Sequence, residues 1–113
     1  MNIPRNAMIV LAVLSFTSCN VPLENAKVET VKIYGNCGMC ESTIEKAGNA
    51  TPDANVDWSR DTKMATISYD SLKTSKEEIL QRIALVGYDS DTFSAPDTAY
   101  ASLPGCCQYE RAN

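Results

Sequence analysis

The feature of this sequence that most constrains its fold is a change of hydrophobic period at a pair of cysteines. Through residues 27–34 (KVETVKIY), Val31 and Ile33 fall on one face and Thr30 and Lys32 on the other, the two-residue alternation of a half-buried strand. Gly35 and Asn36 break that pattern, and Ile44 and Ala47 then recur at helical spacing from Cys40. A helix is therefore expected to begin near the second cysteine of Cys37-Gly38-Met39-Cys40. Strand, loop and helix in that order place both thiols at one solvent-reachable end of the fold.

The remaining periods complete a pattern. Gly48, Asn49, Thr51, Pro52 and Asp53 are turn residues, after which Ala54, Val56 and Trp58 alternate with Asn55, Asp57 and Ser59. A polar connection over residues 60–63 leads to Ala65, Ile67 and Tyr69 alternating with Thr66 and Ser68, so these two strands should form a hairpin. Ser75, three residues before Glu78, is a capping box for a helix whose buried stripe is Ile79, Leu80, Ile83 and Ala84 and which Gly87 ends. Glu77 and Glu78 thus belong to the cap and not to an acid–base pair. Residues 88–93 suit a short polar edge strand. The order β, α, β, β, α, β over residues 27–93 predicts an α+β ferredoxin-like sandwich with two helices on a four-stranded antiparallel sheet. Residues 94–113 read as a C-terminal tail, with two helical turns over 97–103, then Pro104 and Gly105, then the adjacent Cys106 and Cys107.

Composition narrows the chemistry. A chain of 113 residues is long enough for one domain, and 10 Lys+Arg against 14 Asp+Glu leave a net charge of −4, the wrong sign for following a nucleic-acid backbone. There is no His, which excludes imidazole bases, the Ser/His/Asp and Cys/His nucleophiles and every imidazole metal site. Thiols, carboxylates and tyrosines are left, and no catalytic residue is expected among them.

The N-terminus reads as an address. Arg5 precedes a ten-residue apolar run over residues 7–16 (AMIVLAVLSF), short of the roughly 20 that span a bilayer. Residues 1–18 are therefore expected to be a signal peptide. The segment Phe16-Thr17-Ser18-Cys19 resembles a bacterial lipoprotein box, which implies lipidation of Cys19, although Phe16 stands where Leu is usual. Residues 19–26 are then a linker from the membrane. This places the domain in the periplasm, held to the cell envelope by lipid, where thiols and disulfides are both chemically accessible.

Two thiols three positions apart at a helix N-terminus can face one ion, and thiolates select soft ions such as Cu(I) and Zn(II). Two sulfurs suit a nearly linear ion better than tetrahedral zinc. Glu41 and Glu45, one turn on, oppose thiolate formation. The same spacing serves thioredoxin-type redox chemistry and half of a zinc site, so context decides. In the YGNCGMCESTIEKA segment, the VDW at 56–58, the TKMATISYD arm at 62–70 and the ILQRIALVGYD segment at 79–89, the chain resembles the heavy-metal-associated domain family of copper chaperones, metal-ATPase N-terminal domains and periplasmic mercury-binding proteins.

The resemblance implies that Cys37 and Cys40 are metal ligands and that Tyr88 sits beside the metal loop. The family usually carries Met two residues before its first Cys, whereas Gly35 stands there and Met39 lies inside the loop. Met39 is expected to pack or to lend a weak thioether ligand. Trp58 follows the strand alternation and is expected in the core. For Cys106 and Cys107 three readings stay open: extra thiolates on the same ion or a small cluster, disulfides to Cys37 or Cys40, or a separate tail site, with Tyr100 and Tyr109 covering them. The expected function is capture of a soft ion, Cu(I) first and Hg(II) or Zn(II) as alternatives, and its hand-over to a membrane transporter or efflux system by ligand exchange. Rival readings are a thiol–disulfide oxidoreductase attacking through Cys37, and a partner-binding domain with a structural Cys37–Cys40 disulfide.

Overall fold

The computed structural model describes residues 25–111. The expected signal peptide, the lipidation residue Cys19 and all but the end of the expected linker lie outside the described residues. Strand β1 (Ala26–Lys32) runs into helix α1 (Gly38–Gly48), followed by β2 (Ala54–Trp58), β3 (Met64–Asp70), α2 (Lys76–Leu85), a short α3 (Asp97–Ala101) and a 3-10 turn at Gly105–Cys107. The strands form an antiparallel sheet in the order β1-β3-β2, with Val31 and Trp58 both opposite Ala65, and Val56 opposite Ile67.

Period-two alternation makes one sheet face apolar, and the core sits on it. Val31, Ile33, Ala54, Val56, Trp58, Ala65, Ile67 and Tyr69 are buried there beneath Cys40 and Ile44 of α1 and Ile79, Leu80 and Ile83 of α2. Burying a Leu or Ile side chain contributes about 1.5–3 kcal/mol, so this face is the main stabilising element. Gly48 allows α1 to lie close on β2, since a Cβ there would stand 2.4 Å from Val56 Cγ2. Arg82 of α2 then caps the end of α1, donating from Nε to Ala47 O (3.1 Å) and from Nη2 to Gly48 O (2.9 Å). At the start of α2 the Ser75 hydroxyl accepts from Glu78 N (3.1 Å), as the capping box requires, while the Glu78 carboxylate accepts from the Thr74 hydroxyl (3.1 Å).

The sheet has three strands among the described residues, not the expected four. Residues 88–93 come alongside the end of β1 and make a single bridge, Ile33 with Ser90, flanked by Tyr34 N to Asp89 O (2.9 Å) and Asp91 N to Lys32 O (3.2 Å). Pairing stops there because side chains capture the local amides. The Ser90 hydroxyl accepts from Thr92 N (3.3 Å) and Phe93 N (3.1 Å), and an Asp89 carboxylate oxygen accepts from Ala95 N (2.7 Å). Helix α1 starts at Gly38, near the second cysteine as expected, while α3 ends at Ala101, short of the expected residue 103.

The segment after Phe93 packs on the domain. Cys107 and Tyr109 are 1% and 2% exposed and belong to the same core as the sheet. Tyr109 stacks on Tyr88 and Tyr34 with centroids 5.6 and 6.4 Å away, and meets the edge of Tyr100 at 5.0 Å. Its hydroxyl accepts from Asp89 N (2.8 Å) and donates to Gly87 O (2.7 Å). Arg111 closes the segment, binding both Asp89 carboxylate oxygens (2.8 and 3.0 Å), Ala95 O (2.7 Å) and Asp97 (3.0 Å).

Candidate metal centre

Cys37 is the N-cap of α1 in extended conformation, and Cys40 lies in the first turn, so their sulfurs come within 3.8 Å of each other. Cys40 is fully buried, and its sulfur accepts from Asn36 N (3.3 Å). Cys37 stays partly open to solvent. The backbone N–H of Cys40 and, to a lesser degree, that of Met39 favour its charged form over a desolvation cost, pulling its thiol down to about 7. The two acidic residues expected to oppose this are engaged elsewhere: Glu41 pairs with Arg60 Nε (3.8 Å), and Glu45 accepts from Trp58 N (2.9 Å).

The Gly35 departure has a steric cause. Trp58 is buried in the core, donating from Nε1 to Ile33 O (2.8 Å), and a Cβ on Gly35 would stand 3.0 Å from two of its ring carbons. The indole occupies the space under the loop that a larger side chain at position 35 would need.

The 3-10 turn at Gly105–Cys107 separates the adjacent cysteines. Cys107 turns inward, and its sulfur together with those of Cys37 and Cys40 forms a set lying within 4.8 Å of one another. Burial, followed by the neighbouring Cys40 sulfur, pushes the Cys107 thiol up to about 12, against the opposing pull of Tyr88. Cys106 turns outward and is exposed. Its carbonyl accepts from Asn36 Nδ2 (3.4 Å) and from the Cys37 thiol (3.7 Å), while its own sulfur lies 3.7 Å from Met39 Sδ and 4.0 Å from Cys107 Sγ. Met39 is 54% exposed, with its thioether against the Cys106 thiol. All four described cysteines are free thiols.

Tyr88 stands beneath the set. Its hydroxyl is buried and, among the described residues, is the one buried side-chain polar atom without a hydrogen-bond partner. Burial raises its ionisation well above the ordinary tyrosine range, and the sulfurs of Cys40 and Cys107 raise it further. It stays a neutral O–H, near enough for both sulfurs to act on it but with no hydrogen bond to either.

Of the groups that hold Cys107 in place, sequence reasoning named Tyr109 only as cover for the tail cysteines and missed Asp89 and Arg111. Tyr109 is kept protonated, pushed up to about 12 chiefly by burial. Burial disfavours the Asp89 carboxylate, but Arg111 and the Ala95 amide outweigh it and hold its pKa below the usual range. No periodic signal marks residues 106–111, because a 3-10 turn followed by irregular chain has no period to read.

No protein-family model matches the sequence, and no curated protein matches it significantly. Two solved structures are similar. The CopZ metallochaperone aligns with a TM-score of 0.54 and 26% identity over 57% of this chain and 98% of its own. Oxidized MerP from Ralstonia metallidurans CH34 aligns with a TM-score of 0.49 and 28% identity over 57% of this chain and 96% of its own. The resemblance to heavy-metal-associated domains carried by the cysteine loop and its flanking segments thus has a counterpart in the fold of a metallochaperone.

Proposed function

We propose that this protein binds one soft heavy-metal ion, Cu(I) in preference to Hg(II), through the thiolates of Cys37, Cys40 and Cys107, and passes it on by ligand exchange without catalysing a reaction. The convergence of those three sulfurs within 4.8 Å of one another carries the reading. Metal–thiolate bonds of about 2.3 Å place the three sulfurs of a trigonal site about 4.0 Å apart, so little movement is needed from the present spacing. A three-sulfur set suits Cu(I), whereas structural zinc takes four ligands. The likeness to the CopZ metallochaperone supports a carrier role.

Cys37 is the exchange position. It is the partly open member of the set and the one whose thiol is shifted toward thiolate, so an incoming sulfur ligand reaches the ion on its side. Tyr88 then donates to the charged sulfurs from below. In the cell, the N-terminal signal would direct export and a lipidated Cys19 would hold the domain at the periplasmic membrane surface, facing a membrane metal transporter or efflux system that takes the ion.

An anaerobic titration of the reduced chain against a colorimetric Cu(I) chelator tests this, with Hg(II) displacement in parallel. One Cu(I) per chain is expected, retained with affinity lowered by about tenfold or more, 1.4 kcal/mol, in Cys107→Ser and lost in Cys37→Ser. Absence of Cu(I) binding overturns the reading, and tight Hg(II) binding alone reassigns the ion. Turnover of a disulfide substrate would instead favour the oxidoreductase.

A further inference from the structure

Cys106 and Met39 are soft donors next to the three-sulfur set that it leaves unused, and both face solvent. The pair joins the tail to α1, with the Cys106 thiol 3.7 Å from the Met39 thioether. From Cys106 Sγ it is 4.0 Å to Cys107 Sγ, and from Cys37 Sγ it is 3.8 Å to Cys40 Sγ. Two sulfurs each about 2.3 Å from one ion stand at most about 4.6 Å apart, so each of these pairs can share an ion. The outer pair is also held in place: Asn36 Nδ2 donates to the Cys106 carbonyl (3.4 Å), and α1 fixes Met39. The approach is open, since Cys106 is exposed and Met39 is 54% exposed.

The inner set is mostly closed: Cys40 and Cys107 are 0% and 1% exposed and Cys37 alone is partly open, so a Cu(I) still bound to a bulky ligand can meet that set at one sulfur only.

We infer that Cys106 and Met39 form an outer landing site for Cu(I), from which the ion passes inward to Cys107, Cys37 and Cys40. This rests on the Cu(I) reading above. On landing, the Cys106 thiol loses its proton to solvent as its bond to copper forms, Met39 Sδ adds as a neutral donor, and the carrier ligand departs. In the inward step the Cys107, Cys37 and Cys40 sulfurs replace them, their protons leave, and Cys106 takes a proton back. Copper remains Cu(I) throughout and no electron moves.

Stopped-flow transfer from a Cu(I)–bicinchoninate complex to the full reduced chain tests the inference, alongside equilibrium affinity. Because both side chains are exposed, Cys106→Ser and Met39→Leu leave the core intact. The double variant should load about tenfold more slowly, a barrier increase of about 1.4 kcal/mol, with equilibrium affinity changed by less than about twofold. Cys106→Met, which keeps a soft donor, should recover most of the rate, as a merely structural role would not. An unchanged loading rate in the double variant overturns the inference, as does a parallel fall in rate and affinity, which would put Cys106 in the inner set. Wild-type protein that takes up no Cu(I) at all overturns the proposed function itself, so the two failures are distinguishable.

Discussion

The two cysteine pairs obey different local geometry. Cys37 and Cys40 are three residues apart at a helix start, so both sulfurs emerge on one side, 3.8 Å from each other. Cys106 and Cys107 are adjacent in a 3-10 turn, so one faces in and the other out. The first pair is made by an element with a strong sequence period. The second depends on where a tail without such a period is pinned, and that falls to Tyr109 and Arg111. A helix can present a thiol pair by itself, whereas Cys107 reaches the same place only through tertiary contacts.

The contrast breaks most easily at Tyr109. Tyr109→Ala removes a buried ring and a hydroxyl bonded to Asp89 and Gly87, at a cost of about 3–5 kcal/mol, read as a lower denaturant midpoint. Cys107 should then react with a thiol reagent while Cys37 reacts as before. Arg111→Met is milder. It strips the charge-assisted bonds from a buried Asp89, for about 2 kcal/mol, and should free the tail without disturbing α1. The same pair predicts a direction with pH. Because the Asp89 pKa is depressed in the folded state, its stabilisation is present above the unfolded carboxylate value near 4 and is lost as pH falls through the folded one. Acid titration of stability should therefore be flatter in Asp89→Asn than in wild type.

Gly35→Ala acts at the helical pair instead, pressing a Cβ to 3.0 Å from the Trp58 ring. The expected loss is about 1–2 kcal/mol, with a shift in Trp58 fluorescence. The smallest effect is one of reactivity. In the metal-free protein, alkylation of Cys37 should rise through a midpoint of about 7, while Cys107, pushed up to about 12, stays unreactive at neutral pH. Equal labelling of both would remove the distinction between the pairs.

What could be read from the sequence follows the same division. Alternation located β1, β2 and β3, the capping box located α2, and Cys37 with Cys40 stood out because a strand pattern yields to a helical one between them. The fourth strand misled, since the hydroxyl of Ser90 and the carboxylate of Asp89 take amides that a ladder would use, and such captures leave no mark in the hydrophobic pattern. Which of Cys106 and Cys107 turns inward was equally hidden, because it depends on Tyr109 docking against Tyr34 and Tyr88, three residues far apart in sequence. Trp58 was placed in the core by its alternation, yet its role in excluding a side chain at position 35 appears only with the fold.

In the proposed site, a tail residue completes what the helix begins. X-ray absorption at the copper edge of the Cu(I)-loaded, reduced chain measures it directly. Three sulfur neighbours are expected in the wild type and two in Cys107→Ser. Two sulfurs in both proteins would contradict it, confining the ion to Cys37 and Cys40 and leaving Cys107 a core residue.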